Sequence, residues 1–540
     1  MLSVLGFLII LGPLVVFHEL GHYIFARIFN VKAEIFSIGF GPRLWSRQIG
    51  ETNWRVSAIP LGGYVKLLGD SPDHPLSPED LARSLPQQAA YKRLLIFFGG
   101  PLFNFILAAL IFAVILVVGE PQAASVIGRV VHGSHAESSG LMSGDRVVQI
   151  NQSPVTKFEE ILNAINEHPK QALTLEVERR GLPKPIQVQV TPKEQMGFSV
   201  YGETTAVGEV EGLLPMARAA TVGISDPNSL AAKNGLKTGD TIVSLQSAAI
   251  TSWEEFERDL TQIAPGTPIQ LGLKRDQTQL SLSYVQPASR SLTEATGLHS
   301  SELFVEKPIP DSPALRAGVL PGDRLVRVGE HPIQSFFDLR DAVQRGGEKA
   351  GQVTLTWERD GKLQTADLKT TATNSRDPLL KKSTQYTIGV VPMLNWVAPA
   401  TVTERVLNPF VLVYRATERM VVFTYRNFVS IGKMFTGDVS LATLGGPITI
   451  GKVAGESLSR GLITFLTTMA ILSVGLGVLN LLPVPVLDGG HIVLLLLEVI
   501  RGKALSIRQL EIIQQVGLSL ILLLMLVVMR NDLSRLSWFN

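Results

Sequence analysis

The sequence contains no cysteine among its 540 residues. This absence excludes thiolate metal ligands, disulfide frameworks and a cysteine nucleophile. Charged residues make up only 18% of the chain, and the 49 basic and 47 acidic side chains leave a net charge of +2. Without a basic motif, that balance gives no support for a nucleic-acid partner.

The chain is instead rich in long apolar runs. Hydrophobic residues reach 46% and the mean hydropathy is +0.24, which indicates membrane spans together with substantial soluble mass. About 20 apolar residues cross a bilayer as a helix. The runs predict four spans: Val4 to Phe25, Leu94 to Val118, Leu462 to Leu482 and Ile512 to Met529. The first run has neither a basic segment before it nor a small-residue cleavage site, so we expect it to be retained.

The first span carries a metal-binding pattern, Phe-His-Glu-Leu-Gly-His-Tyr, at residues 17–23. His18 and His22 lie four residues apart and therefore share one helical face. Their imidazoles could bind one Zn²⁺, and Glu19 could act on a water molecule as general base. A helix with two hydrogen-bonded histidines is the simpler alternative, but an ionisable cluster inside an apolar span favours a functional site. A zinc site of this kind needs three protein ligands, so one more must come from elsewhere.

Topology predicts where that third ligand lies. Basic side chains are concentrated between the first two spans, at Arg27, Lys32, Arg43, Arg47, Arg55, Lys66, Arg83, Lys92 and Arg93. The positive-inside rule makes this segment cytoplasmic, which places His18 and His22 near the cytoplasmic end of their span. The third span, entered from the other side, reaches the same depth at Asn-Leu-Leu-Pro-Val-Pro-Val-Leu-Asp-Gly-Gly-His, residues 480–491. Asp488 is therefore the candidate ligand; a helix-capping aspartate is the alternative, and His491 is not needed as a ligand.

Two segments around these spans have patterns of their own. Glu34 to Arg43 and Trp54 to Lys66 alternate like short strands with glycine and proline between them. A strand edge there could hold an extended peptide through main-chain hydrogen bonds, although an ordinary capping hairpin fits equally well. In the second span, Gly99-Gly100-Pro101 permits close helix contact, and Asn104 places an amide at helical depth.

A later segment, Leu407 to Phe435, is apolar but carries basic side chains. Four of them fall on one helical stripe: Arg415, Arg419, Arg426 and Lys433. Long basic side chains of this kind reach lipid headgroups, so we expect the helix to lie in the membrane interface rather than to span the bilayer.

Between the second and third spans, from about Pro121 to Asp377, one pattern occurs three times. Its form is Ser-x-Ala-x-x-x-Gly-[Leu/Val]-x-x-Gly-Asp, beginning at Ser134, Ser229 and Ser312. An aromatic residue thirteen positions after each aspartate predicts an amphipathic helix and then a strand: Phe158 with Leu173 to Glu178, Trp253 with Ile269 to Lys274, and Phe336 with Val353 to Glu358. The repeats resemble the bacterial, circularly permuted PDZ domain, with predicted limits of 121–200, 201–290 and 291–377. Such domains could receive peptide segments by strand addition or act only as a spacer.

The sequence as a whole resembles the site-2 protease family of intramembrane zinc metalloproteases, in its RseP-like bacterial branch. The resemblance is carried by HELGH in the first span, GGPLFN in the second, NLLPVPVLDGG in the third and the repeats between spans. It implies Glu19 as the catalytic base and three Zn²⁺ ligands: His18, His22 and Asp488. It also implies that the side-chain amide of Asn480 binds substrate. A second substrate-binding element would be a strand edge at Gly39, Phe40 and Gly41. Members of this branch usually carry two PDZ copies, so the third copy is a departure.

The predicted fold is a multi-spanning α-helical membrane protein of about four spans, with tandem α+β PDZ-like domains inserted between spans two and three and membrane regions at 1–120 and 378–540. We expect it in the bilayer of a bacterial inner membrane, with extracytoplasmic PDZ-like domains and an active site near the cytoplasmic side. The predicted function is cleavage of single-span membrane proteins within their transmembrane segment; the resemblance implies shortened anti-sigma factors and remnant signal peptides as substrates. The competing hypothesis is a membrane PDZ scaffold whose structural metal site would require four protein ligands.

Overall fold

The structure is a computed structural model that describes residues 2–69, 77–199, 202–264, 266–285, 296–376, 382–503 and 505–535. The chain forms two compact units. The membrane unit comprises Met1–Glu120, Val200–Glu203 and Thr403–Asn540, and the repeat unit comprises Pro121–Ser199 and Thr204–Val402.

Among the residues that the structure describes, four helices, all in the membrane unit, are long and apolar enough to cross a bilayer, in agreement with the predicted number of spans. They are Leu2–Ile28, Ala90–Val118, Leu462–Asn480 and Arg508–Ser534. The last of these spans belongs to the helix Ile507–Ser534. The other helices of the membrane unit are Pro78–Ala82, Pro409–Thr436, Pro447–Ser459 and Asp488–Arg501. A short 3₁₀ helix covers Leu441–Thr443.

The first three membrane helices share one apolar core. Ile10, Phe112 and Val474 are buried members from the first, second and third helix respectively. The first two helices are in close contact where Gly21 faces Gly99: a Cβ on either glycine would overlap the main chain of the other helix. Small residues at such crossings are typical of membrane helix packing.

The fourth membrane helix is largely exposed but is attached at two places. Near its middle, Gly517 lies against Pro485, where a Cβ would overlap the proline. Near its end, the buried carboxylate of Asp532 accepts hydrogen bonds from the N–H groups of Gly446 and Ile448, both at 2.9 Å. Asp532 thereby satisfies free donors at the start of the helix Pro447–Ser459.

The segment between the first two membrane helices forms the predicted strands, Ala33–Ile49 and Thr52–Leu67. The inner part of the first strand is paired on both sides, with Ile38 opposite Gly63 on one side and Val56 on the other. The second strand therefore runs back along both edges of residues 35–38.

The helix Pro409–Thr436 agrees with the predicted amphipathic segment. Its buried face packs on the second and third membrane helices through Ala416 and through Phe423, whose ring stacks on Phe112 with centroids 5.7 Å apart. The opposite face is exposed, as at Phe410 and Phe435. Its position in the membrane interface stays a prediction.

Among the described residues, the repeat unit contains three similar antiparallel sheets of four strands, and the strand predicted after each amphipathic helix is the third of its sheet in both sequence and spatial order. The first sheet consists of Arg146–Ile150, Ser153–Pro154, Leu173–Glu178 and Ile186–Val190. The second consists of Thr241–Leu245, Ala248–Ala249, Pro268–Arg275 and Thr278–Val285. The third consists of Arg324–Val328, His331–Pro332, Gln352–Arg359 and Lys362–Lys369. The helices are His135–Ser138 and Phe158–Glu167, Leu230–Lys233 and Trp253–Leu260, and Pro313–Arg316 and Phe336–Ala350. Each longer helix starts at the predicted aromatic residue.

Shorter elements connect and close these sheets. The strands are Glu120–Ala123, Arg129–Val130, Lys193–Phe198, Thr204–Glu209, Leu213–Leu214, Ala217–Arg218, Val222–Gly223, His299–Ser300, Val305–Pro308, Thr371–Arg376, Lys382–Thr387, Val390–Pro392, Trp396–Val397 and Thr401–Glu404. A 3₁₀ helix covers Ser301–Leu303.

The structure explains the repeated sequence pattern. In the first copy, the hydroxyl of Ser134 caps a short helix, Ala136 is fully buried, and Gly140 adopts a φ of +88°. The aspartate closes the turn: Asp145 accepts the N–H of Met142 at 2.8 Å and binds the guanidinium of Arg179 through two 2.8 Å hydrogen bonds. The same aspartate–arginine pair recurs in the other copies, as Asp240 with Arg275 and Asp323 with Arg359.

Each repeat is closed by a segment that follows its predicted limit. Gly212, Gly297 and Gly389 have positive φ and lie directly against the capping serines of their own repeats, Ser134, Ser229 and Ser312. The predicted limits at residues 200, 290 and 377 fall before these segments and themselves lie outside the described residues. The repeat unit accordingly extends to Val402.

A buried ionic cluster joins the three repeats. Glu302 is 1% exposed and accepts two hydrogen bonds from Arg129, at 3.0 and 2.9 Å, and one from Arg218 at 2.7 Å. Arg218 also binds Glu254 at 2.7 Å, and Glu302 accepts the N–H of Phe336 at 2.9 Å. Because burying these charges is tolerated only when they are paired, the contact fixes how the repeats meet.

Candidate metal centre

The structure brings the three predicted metal ligands together. Nε2 of His18 lies 3.2 Å from Oδ2 of Asp488 and 3.3 Å from Nε2 of His22. Nε2 of His22 lies 3.4 Å from Oδ1 of Asp488. Among the residues that the structure describes, these three side chains form the one group whose geometry could hold a metal ion.

Their spacing fits zinc. Ligands bind Zn²⁺ at about 2.0–2.1 Å in a tetrahedral arrangement, which places donor atoms about 3.3 Å from one another. The three observed separations of 3.2–3.4 Å agree with this value. Two imidazole nitrogens and one carboxylate are a common donor set for a catalytic zinc site, which keeps its fourth position open.

The second membrane helix orients both imidazoles. Nδ1 of His22 lies 2.8 Å from the carbonyl oxygen of Ile96, so this nitrogen donates its proton there and leaves Nε2 bare. Nδ1 of His18 faces two amides, with Nδ2 of Asn104 at 3.1 Å and Nδ2 of Asn480 at 3.5 Å. Such outer contacts determine which ring nitrogen can bind a metal.

The glycines of the second membrane helix leave room for the imidazoles. A Cβ on Gly100 would lie 2.7 Å from Cε1 of His18 and closer still to Nε2 of His22. Gly99 allows the helices to approach at Gly21, which lies between the two histidines in sequence. The GGP motif therefore creates the space that the HELGH motif needs.

Asp488 reaches the site because the third membrane helix ends at Asn480 and a new helix begins at Asp488. In the intervening loop Val486 has a φ of +88°, a conformation that is strained for a β-branched residue. Gly489 and Gly490 pack against the loop's own main chain, where a Cβ would overlap carbonyl groups. The carboxylate thus faces the histidines from a position set by the loop.

Glu19 lies beside the metal-ligating group but is not part of it. Its carboxylate lies near the backbone of Val65, in the second strand of the hairpin, and interacts electrostatically with His18, His22 and Asp488. Gly63 of the same strand leaves space for the Glu19 side chain. The carboxylate is therefore held at the site without occupying a ligand position.

The structure places the predicted substrate-binding residues in two locations. Asn480 borders His18, as described above. Gly39, Phe40 and Gly41 lie on the hairpin, where Phe40 is paired with Ile59. Gly39 and Gly41 have φ values of +91° and +82°, which glycine adopts readily. Substrate binding by these residues stays a prediction.

The roles of Ile96 and Gly100 were not predicted from the sequence. A main-chain carbonyl such as that of Ile96 leaves no sequence signal, whereas the conjunction of Gly-Gly-Pro with an amide four residues after Gly100 was a signal of close packing. The sequence did not indicate that this packing would be against the ligands.

An HExxH pattern inside an apolar helix, with the carboxylate of Asp488 beside its two histidines, is the arrangement expected of a membrane-embedded metalloprotease. A family model for peptidase family M50 matches residues 6–524. The chain belongs to peptidase family M50, and it is a zinc metalloprotease of the intramembrane type.

Curated relatives match along nearly their whole length. A provisionally named zinc metalloprotease of Neisseria meningitidis is 30% identical over 535 residues, covering 99% of each chain. Protease RseP of Yersinia pestis is 28% identical over 543 residues, covering 99% of each chain. The regulator of sigma-E protease RseP of Escherichia coli K12 is 28% identical over 541 residues, covering 98% of each chain.

A solved PDZ domain protein from Parabacteroides distasonis matches at 11% identity, covering 53% of this chain and 100% of that chain. Its TM-score of 0.13 is too low to support an argument about the fold.

Proposed function

We propose that this protein cleaves single-span membrane proteins within their transmembrane segments, with Glu19 as the catalytic base. The observation that carries the proposal is the tetrahedral spacing of His18, His22 and Asp488, with the Glu19 carboxylate held beside them. A shortened anti-sigma factor is one proposed substrate; the Escherichia coli relative is named as a regulator of sigma-E protease, which agrees with this proposal. Remnant signal peptides form a second proposed substrate class.

His18, His22 and Asp488 would hold the zinc ion. When bound, Zn²⁺ supplies a Lewis acid that polarises the scissile carbonyl and activates water. Glu19 takes the proton of the attacking water and returns it to the leaving amine. The carboxylate is placed for this transfer by its position next to His18 in the same helix and beside Asp488.

The substrate has to be unwound before it can be cut, because a helical peptide bond is shielded by its own hydrogen bonds. An unpaired backbone group in lipid costs several kcal/mol. We propose that Asn480 and the strand edge at Gly39, Phe40 and Gly41 bind the unwound segment and offset this cost. The PDZ-like repeats, proposed to be extracytoplasmic, would bind peptide segments or limit access.

The test is cleavage of a model single-span peptide by the purified protein in detergent or liposomes. Glu19→Gln should lower turnover by about 100- to 10,000-fold, because it removes proton transfer. The same variant should keep its zinc, since Glu19 is not a ligand. Substantial turnover in Glu19→Gln would show that the assigned base is wrong.

Metal analysis of ligand variants tests the site itself. His18→Ala, His22→Ala and Asp488→Asn should lose zinc and activity together. His491→Ala is the matched control, because His491 stacks on Phe97 three residues beyond Asp488 and belongs to no ligand group that the described residues form. Normal zinc content in the three ligand variants would exclude the proposed site.

A further inference from the structure

His18 has to present one particular ring nitrogen to the metal. Its Nε2 is the atom that faces Asp488, at 3.2 Å, and His22, at 3.3 Å. A neutral imidazole has one protonated and one bare nitrogen. Metal binding through Nε2 therefore requires a proton on Nδ1 and an acceptor for that proton.

The two histidines satisfy this requirement differently. His22 uses the main-chain carbonyl of Ile96, which is a fixed acceptor. Nδ1 of His18 faces the side-chain amides of Asn104 at 3.1 Å and Asn480 at 3.5 Å. An amide can present either its NH₂ group or its oxygen, so one of these asparagines can serve as the acceptor.

Asn104 is the better placed of the two. It is 0% exposed, and its Oδ1 has no hydrogen-bond partner among the residues that the structure describes. Rotating the amide by about 180° puts Oδ1 where Nδ2 lies, within reach of the Nδ1 proton. The hydroxyl of Ser473 donates to the main-chain carbonyl of Asn104 at 2.8 Å and holds this part of the second helix in place.

Asn480 is farther from His18 and is only partly buried. We infer that Asn104 is a positioning residue, which accepts the Nδ1 proton of His18 and fixes the tautomer and ring orientation in which His18 binds the metal. Asn480 is thereby left free for the substrate. The inference rests on the proposed function, because it requires a metal at His18.

The experiment measures zinc affinity of the full-length protein by competition with a chelator, without substrate. Asn104→Leu removes the acceptor at similar volume and should weaken zinc binding by about 10–100-fold. Asn104→Asp restores an acceptor and should remain within about threefold of the wild type. Asn480→Leu should change zinc affinity less than Asn104→Leu does, while lowering cleavage.

If Asn104 served only in packing, Asn104→Leu would keep a higher zinc affinity than Asn104→Asp, because leucine suits a buried apolar site and a carboxylate does not. Wild-type zinc affinity in Asn104→Leu would overturn the inference. Equal losses in the leucine and aspartate variants would overturn it as well, since an acceptor would then be insufficient. A wild-type protein that binds no zinc would instead reject the proposed function.

Discussion

At the scale of single residues, the metal site depends on an absent side chain as well as on its ligands. Gly100→Ala would place a Cβ against both imidazoles, 2.7 Å from Cε1 of His18. One ring must then move, and we expect zinc affinity to fall by at least about tenfold. Chelator competition on the purified variant measures this change.

The matched control for that substitution lies in the first membrane helix. Gly12→Ala introduces the same methyl group at a position where a Cβ meets nothing within 4 Å. It should leave zinc affinity unchanged. Equal affinities in Gly100→Ala and Gly12→Ala would contradict the placement of the second helix against the histidines.

A second residue-scale prediction concerns pH. Burial, together with the neighbouring Arg324, lowers the pKa of His299 to about 3. Its Nδ1 accepts a hydrogen bond from Arg324 at 3.1 Å, so the fold favours the neutral ring. Between about pH 6.5 and 3, His299 is protonated in the unfolded chain but neutral in the folded chain. The free energy of unfolding of the repeat unit should therefore fall by up to about 1.4 kcal/mol per pH unit on acidification.

His299→Gln keeps an acceptor for Arg324 but does not titrate. The variant should therefore lose less stability than the wild type between pH 7.5 and 5.5. Urea unfolding of the full-length protein, followed through the fluorescence of buried Trp253 and Trp357, measures the difference. Identical pH dependence in both proteins would exclude a buried neutral His299.

The sequence indicated that His18, His22 and Asp488 would lie together through spacing and membrane depth, which are both properties of local sequence. His18 and His22 follow from helical periodicity, and the structure places Asp488 beside them as the depth argument required. The roles of Gly100 and Asn104 could not be predicted in the same way. They depend on which face of the second helix meets the histidines, and only tertiary packing decides that.

At the scale of elements, the aspartate of each repeat stabilises the turn that opens the sheet. Asp145 is 1% exposed, and Arg179 supplies its charge partner. Removing the partner leaves a buried carboxylate, so Arg179→Gln should lower the free energy of unfolding of the repeat unit by about 2–4 kcal/mol. Urea unfolding of the full-length protein measures the loss.

Arg146→Gln is the control within the same repeat. Arg146 and its partner Glu178 are 59% and 52% exposed and lie 3.8 Å apart, so their pairing should contribute less than about 1 kcal/mol. Comparable losses in Arg146→Gln and Arg179→Gln would show that the buried pair has no special role.

The helices and central strands of the repeats were predictable because their periodicity is local. Leu173–Glu178, for example, has the predicted bounds. The closing segments were not predictable, because Gly212 contacts Ser134 although a whole sheet separates the two residues in sequence. No local pattern marks such a contact, and the limits of the single repeats stay a prediction.

At the scale of the whole molecule, the repeat unit is one compact body rather than a string of independent domains. The cluster of Arg129, Arg218, Glu254 and Glu302 joins residues from all three repeats in a buried network. A body of this size can restrict access even if no repeat binds a peptide. This leads to the prediction that the repeat unit excludes substrates with bulky folded ectodomains.

The structure indicates where the repeat unit can be removed. The N–H of Ala124 donates to the carbonyl of Ala400 at 2.8 Å, so the two ends of the excised segment lie side by side. Replacing residues 125–399 with a short flexible linker removes all three repeats together with their closing segments. An excision that stopped at Asp377 would leave Lys382–Thr387 and Val390–Pro392 without their partner strands.

The deletion variant should cut a substrate that retains a bulky ectodomain, which the intact protein rejects, and should still cut the trimmed form. Recruitment by the repeats predicts a different result, namely loss of cleavage of the trimmed form. Both substrates should be compared in membranes at matched protein levels, with Glu19→Gln in the deletion background to show that cleavage belongs to this site. A deletion variant that cuts the trimmed substrate and still rejects the bulky one would rule out the size filter, because no steric body would remain to account for the rejection.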